Sequence, residues 1–193
     1  IRQVDAICQV VRCFEDENIT HVAGKVDPIA DIETINLELV LADLESVDKR
    51  IARVAKIAKT KDKDAVAELA VLEKIKPVLE EGKLARTIEF TDEELPIVKG
   101  LFLLTTKPML YIANISEDDV MEGGHNQYVQ LVEDYAAKED AEVVVICAKI
   151  EEEVAELEEE EKQAFLEEMG IEVSGLDILI QKAYHLLGLA TYF

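Results

Sequence analysis

Apolar residues first gather at Ala6–Phe14, where Ile7, Cys8, Val10, Val11 and Cys13 make a short, almost continuously apolar run. Such a run predicts a strand buried on both faces, as in a parallel α/β sheet. Residues 15–27 are polar and end on Gly24 and then Asp27-Pro28, which reads as a loop. The period then changes. Val40, Leu44, Val47, Ile51, Val54 and Ala58 follow at alternating spacings of four and three, the seam of a coiled-coil helix. This helix is expected over about 32–59, with Asp31 as its cap. Thr60–Lys63 interrupts the seam. Asp62 can cap a second helix, in which Ala65, Leu69, Leu72, Ile75 and Leu79 supply the partner stripe until Gly82. So short a link between two apolar stripes predicts an antiparallel hairpin. Thr91–Glu94 is a capping-box pattern that opens a third, shorter helix.

Met109–Ala113, broken by Asn114, and Glu142–Cys147 are two further strand candidates, with a helix expected over Gln127–Lys138 between them. Acidic helical segments follow over 151–169 and stop at Gly170. A last helix over about 176–187 puts Leu176, Leu179, Ile180, Ala183, Tyr184 and Leu187 on one face. Strand, long excursion, strand, helix, strand, helix is the order of βαβ units. The excursion is too long for a crossover helix and reads as an insertion. The expected fold class is therefore α/β with parallel strands, plus an inserted α-helical coiled-coil hairpin. Residues 1–30 and 105–193 would form one domain and residues 31–104 the insertion. The chain opens on Ile1 rather than Met, is soon inside an apolar strand, and stops as abruptly at Ala190–Phe193, so it reads as entered in the middle of a domain.

Composition narrows the classes. Hydrophobic residues make up 49% of the 193, enough for a core, and no apolar run reaches the roughly 20 residues of a membrane span. No membrane partner is expected. Cys8, Cys13 and Cys147 are odd in number and lie in apolar stretches, which reads as reduced cysteines in a cytoplasmic protein. His21, His125 and His185 are scattered, with no metal-ligand spacing, so no metal site is expected. The net charge of −22 is uneven: residues 1–116 hold 21 acidic and 16 basic residues, and residues 117–193 hold 21 and 4. Against that trend, Lys49, Arg50, Arg53, Lys56, Lys59, Lys61 and Lys63 cluster at the hairpin tip with only Asp62 among them. The cluster is either a solvated helix surface or a contact to a phosphate backbone. The glutamate runs at 151–153 and 158–161 read as solvated helix faces, because acid–base work needs a cleft.

The local signal with chemistry is Asn114-Ile115-Ser116-Glu117, at the end of an apolar strand. Ras-like GTPases carry Asn-Lys-x-Asp at such a position, and the Asp accepts from two donors on guanine. A carboxylate only accepts, so it matches guanine and repels the acceptor N1 of adenine. Here Glu117 replaces Asp and Ile115 replaces Lys; the extra methylene should spoil the guanine clamp. Asn114 can still pair with an adenine edge, and Ile115 can pack on the ring. Cys147-Ala148-Lys149 ends the next strand, where Ras-like proteins carry Ser-Ala-Lys, whose backbone amides touch the base. Ligands bind at strand C-terminal ends in such sheets.

The block Val10–Pro28 (VVRCFEDENITHVAGKVDP) closely resembles a segment of Obg-like ATPases of the YchF type, as do Asp31–Leu39, Ala67–Lys74, Lys107-Pro108 and Leu189–Phe193. The resemblance covers essentially the whole chain and is looser over 117–140. It implies a partial Ras-like P-loop NTPase domain with a coiled-coil insertion, cytoplasmic and associated with the ribosome or its RNA. The parent would hydrolyse ATP, with GTP as a second candidate, and would use Mg²⁺. By position, Phe14 would lie against the base unless it is plain core, Asn114, Ile115 and Glu117 would read it, and Cys147, Ala148 and Lys149 would close the pocket. No G-x-x-x-x-G-K-[ST] occurs in the sequence, so no phosphate cradle is expected in these residues. By itself the chain should neither hydrolyse ATP nor bind it tightly, and an exposed sheet edge should favour self-association. The alternative function is a helical arm that docks on the ribosome or RNA independently of nucleotide. DNA is not an expected partner.

Overall fold

A computed structural model describes residues 2–16 and 24–188. His21 and the Leu189–Phe193 segment lie outside the described residues. The chain forms two compact units: Ile1–Asp5 with Glu33–Lys107, and Ala6–Ile32 with Pro108–Phe193.

The second unit is built on three parallel strands in the order β1 (Ile7–Arg12), β2 (Met109–Asn114), β3 (Glu142–Ile146). Register pairs Ile7 with Met109 and Arg12 with Asn114 on one side, and Leu110 with Glu142 and Asn114 with Ile146 on the other. All three strands therefore end on one edge. β2 is central, and Met109 to Ala113 are buried. Tyr111 meets Tyr135 edge-on at 6.0 Å and donates its hydroxyl to Glu139 Oε2 at 2.6 Å. The expected burial of the first strand on both faces does not hold. Gln9 and Val11 are buried, whereas Val10 is 63% exposed and Cys8 is exposed. β1 is an edge strand, and side chains alternate between its faces, so one face stays open.

After β2 come α4 (Glu117–Met121) and α5 (Gln127–Lys138); after β3 come α6 (Ala148–Glu156), α7 (Glu159–Glu168) and α8 (Gly175–Leu186). Gly170 takes φ +72° where α7 ends, the left-handed turn a glycine makes most readily. The expected last-helix face is less covered than its spacing suggests: Leu176, Ile180, Tyr184 and Leu187 are all exposed among the described residues.

The first unit holds most of α1 (Pro28–Ala58), then α2 (Lys63–Glu80), a 3₁₀ turn at Ala85–Thr87 and α3 (Leu95–Gly100). α1 starts earlier than expected. Pro28 occupies its first position, where a missing N–H costs nothing, and Asp27 Oδ1 accepts from the Ala30 amide at 3.1 Å. Asp31 is thus a first-turn residue rather than the cap. Asp62 caps α2, accepting from the Ala65 amide at 2.8 Å. The Thr91–Glu94 box forms with both of its reciprocal bonds, at 2.9 and 3.3 Å.

The seam is lopsided. Val40, Val47 and Val54 are buried, while Leu44, Ile51 and Ala58 are only partly so. Val71, outside the expected stripe, joins Leu72, Ile75 and Leu79 in the core, together with Leu84, Ala85, Val98 and Leu103 from the return segment. Each fully buried aliphatic side chain contributes roughly 1.5–3 kcal/mol, so this return segment is part of what holds the hairpin.

One buried carboxylate stands out in this unit. Asp43 on α1 is 0% exposed and accepts from the amides of Leu104 at 2.9 Å and Thr105 at 2.7 Å. Arg2 Nη1 donates to the same side chain at 3.0 Å, and Arg2 Nη2 donates to the Ala42 carbonyl at 2.9 Å. Asp43 thereby holds the Leu104 and Thr105 backbone against α1 within this unit.

Candidate functional site

A cleft of about 530 Å³ opens at the C-terminal ends of the three strands. Its walls are the three post-strand loops: Phe14–Asp16 after β1, Asn114–Asp118 after β2, and Cys147 with Lys149 after β3. The ladder on each side of β2 continues for one more bond before the loops diverge. The Cys13 amide donates to the Asn114 carbonyl at 2.8 Å, and the Ile115 amide to the Ile146 carbonyl at 2.9 Å.

Asn114 ties two walls together. Its Oδ1 accepts from the Ala148 amide at 2.9 Å, which also satisfies one of the free donors at the start of α6. Its Nδ2 has no partner among the described residues and remains a donor. Ile115 lines the cleft but is only 2% exposed, so it backs the wall rather than offering a broad stacking face. Ser116 is the N-cap of α4: its hydroxyl accepts from the Asp119 amide at 3.1 Å and donates to Asp119 Oδ2 at 2.6 Å. Burial opposes ionisation of Asp119, yet hydrogen bonds from Ser116 and Asn126 outweigh it and hold that carboxyl below its ordinary range. Glu117 is then the first residue of α4, and its carboxylate pairs with Lys149 Nζ, on α6, across the cleft. That hydrogen bond and charge push the Lys149 ammonium's pKa up.

Phe14 is half-buried and lines the cleft, so it is not plain core. The Arg12 guanidinium lies 5.0 Å from its ring centroid, and Arg12 Nε donates to its carbonyl at 3.0 Å. Asn126, which the sequence reading did not single out, caps α5 through the Tyr128 and Val129 amides at 3.0 and 2.9 Å. Its Nδ2 donates to the Cys13 carbonyl at 2.7 Å and so fixes the loop that carries Phe14. An Asn directly ahead of a helical pattern was the available signal. Cys147 lines the cleft but is buried, and burial raises its thiol pKa, which disfavours the thiolate. Glu15, Asp16 and Asp118 complete the lining, and their carboxylates outnumber the single lysine. Such a rim suits a neutral ring better than a polyanion.

None of the hairpin-tip residues is among those that line this cleft. Two of them have acidic partners: Lys49 pairs with Glu45, and Arg50 with Glu68. Arg53, Lys56, Lys59, Lys61 and Lys63 are exposed and make no ion pair among the described residues. Lys61 adopts φ 62° between the two helices, and the Asp62 carboxylate is occupied as the α2 cap. No group of His, Cys, Asp or Glu that could hold a metal ion is found among the described residues. No described helix is long and apolar enough to cross a membrane.

No protein-family model matches the chain. Over all 193 residues it is 65% identical to the ribosome-binding ATPase YchF of Bacillus subtilis (strain 168) and 52% identical to that of Haemophilus ducreyi (strain 35000HP). The aligned region is 53% and 52% of those proteins, so the chain spans about half the length of the curated relatives it matches. Its fold matches the structure of the Schizosaccharomyces pombe YchF GTPase with a TM-score of 0.82 and 33% identity, covering 96% of this chain and 51% of that one.

Proposed function

Because this chain belongs to the YchF type of the Obg-like P-loop proteins, as a segment about half their length, we propose that it recognises the base for a ribosome-associated, ATP-preferring NTPase. In this reading residues 1–30 and 105–193 are nucleotide-binding domain and residues 31–104 an inserted arm; the protein works in the cytoplasm. The observation that carries the reading is the cleft at the ends of three parallel strands, where α/β sheets bind ligands. Its volume of about 530 Å³ lies within the range of roughly 300–1,000 Å³ usual for small-molecule sites.

The residues fit a purine. Asn114 Nδ2 is a donor for a ring nitrogen, Phe14 provides an apolar face, and Cys147 and Lys149 line the far wall, with the Ala148 amide between them held by Asn114 Oδ1. Adenine is favoured over guanine because Glu117 carries one methylene more than the aspartate that would clamp guanine's two donors. GTP is the second candidate nucleotide. The residues do not fit the triphosphate or its Mg²⁺: the cleft rim is carboxylate-rich, and the sequence has no phosphate-cradling Gly-Lys-Ser/Thr loop. No hydrolytic step is assigned to them.

The test exchanges this segment for its counterpart in the full-length Bacillus subtilis relative. There, Glu117→Asp with Ile115→Lys should shift preference toward GTP, read as the ratio of kcat/KM for the two nucleotides. An unchanged ratio would overturn the base-reading assignment. A second reading, an arm that contacts ribosomal RNA, is favoured by the five exposed, unpaired cations at the hairpin tip.

A further inference from the structure

The Glu117–Lys149 ion pair crosses the cleft from the loop after β2 to the loop after β3. Both of its ends are anchored. Glu117 follows the Ser116–Asp119 capping box, and Lys149 follows Ala148, whose amide is held by Asn114 Oδ1. The backbone that carries each side chain is therefore held, which keeps the two within reach of one another. Glu117 also lines the cleft three residues after Asn114; its extra methylene spoils the two-donor clamp, but a free carboxylate there can still accept from one of guanine's N1–H and amino donors.

We propose that the Lys149 ammonium is a specificity determinant: by holding the Glu117 carboxylate across the cleft, it withholds that acceptor from guanine and adds to the preference for adenine. The inference rests on the base-site reading and extends it, because there Lys149 only closed a wall. Guanine must break the pair to reach Glu117, whereas adenine, with an acceptor at N1, gains nothing by doing so. The Glu117 and Lys149 side chains are 35% and 64% exposed, so the pair is screened by solvent. Its contribution to discrimination is accordingly modest, about fivefold at low salt.

The experiment uses adenosine and guanosine, which carry no phosphate, titrated to millimolar concentration on the 193-residue chain. Amide NMR shifts of Ile115, Glu117, Ala148 and Lys149 report occupancy of the cleft. Lys149→Met should strengthen guanosine binding relative to adenosine by about fivefold. Adding Glu117→Gln to Lys149→Met should abolish that gain. Raising salt from about 0.05 to about 0.5 M should move the unmutated chain the same way, and should leave Lys149→Met unmoved. Lys149 is exposed, and unchanged shifts elsewhere will establish that the variant is folded. Cleft shifts with an unaltered guanosine-to-adenosine ratio in Lys149→Met overturn the inference and leave the base site standing. No cleft shifts with either nucleoside, in the unmutated chain or the variant, overturn the base-site reading and this inference with it.

Discussion

Replacing Asp43 by alanine gives the sharpest test of what holds the helical unit. The carboxylate is 0% exposed and accepts two backbone amides, from Leu104 at 2.9 Å and Thr105 at 2.7 Å. Alanine leaves both amides buried without an acceptor, and each orphaned donor costs about 1–3 kcal/mol. Arg2 loses its partner too, but its side chain is 39% exposed and water takes over much of that role. Relief of the carboxylate's own desolvation offsets part of the loss, so the expected cost is about 3–5 kcal/mol, the range for breaking a buried charge from its partners. Asp43→Asn should fall in between, because one oxygen still accepts while the new NH₂ confronts the second amide. Arg2→Met should cost about 1 kcal/mol or less. Urea unfolding followed by circular dichroism at 222 nm orders the three variants. Hydrogen exchange at the Leu104 and Thr105 amides reports the site directly. A loss below about 1 kcal/mol in Asp43→Ala, with both amides still protected, would refute the reasoning.

Burial pushes the Cys13 thiol up to about 12, with Asp119 and Asp31 adding to it. A raised folded-state value means the stabilisation is intact below the unfolded thiol's pKa and is lost as pH rises toward the folded one. From pH 9 to pH 10 stability should therefore fall by about 1 kcal/mol more in the unmutated chain than in Cys13→Ala, measured by urea midpoints. At Gly175, an added Cβ would come within 2.7 Å of both Ile146 Cγ2 and Glu151 Oε1, and Glu151 Oε1 already accepts the Gly175 amide at 2.6 Å. Gly175→Ala should cost about 1–3 kcal/mol, and an unchanged melting temperature would rule out that packing. Charge reversal at Arg53, Lys56 and Lys59 should weaken cosedimentation of the chain with ribosomes, as should added salt, whereas reversal at the already paired Lys49 should do less.

Periodicity made the hairpin legible: a coiled-coil seam is a local, repeating constraint, and Val40, Val47 and Val54 are buried as it requires. What it could not show was the asymmetry. Leu44 and Ile51 stay half-exposed while Val71 is buried, because residues from Leu84 to Leu103 cover one side of the pair. Asp43 was hidden for a related reason. An acidic residue on a helix reads as solvated, and its burial depends on amides 61 and 62 positions away. The apolar pattern begins after Asp31 and so points to it as the cap, whereas Pro28 fixes the true start. The open face of β1 was illegible because an apolar run does not say how many neighbours cover it. At the cleft, Asn114 ends β2 and Cys147–Lys149 directly follow β3, positions that the apolar runs mark in the sequence. The link between Glu117 and Lys149 is not marked there, since only the register of β2 with β3 brings together residues 32 positions apart.

That register also bears on how far base selection separates from phosphate chemistry. The cleft's geometry depends on three loops, and each is fixed by bonds within its own unit: Asn126 to Cys13, Asn114 to Ala148, and Ser116 with Asp119. None of these bonds requires a bound nucleotide. On the proposed base-site reading, loops tied in this way would lower the ordering cost that a flexible pocket imposes on binding. The cleft's acidic rim works against polyphosphate, so affinity for a triphosphate has to come from groups outside these loops. The proposed function then assigns selectivity and affinity to different residues. Substitutions at Asn114, Glu117 or Lys149 should change the ratio between purines much more than the total strength of nucleotide binding.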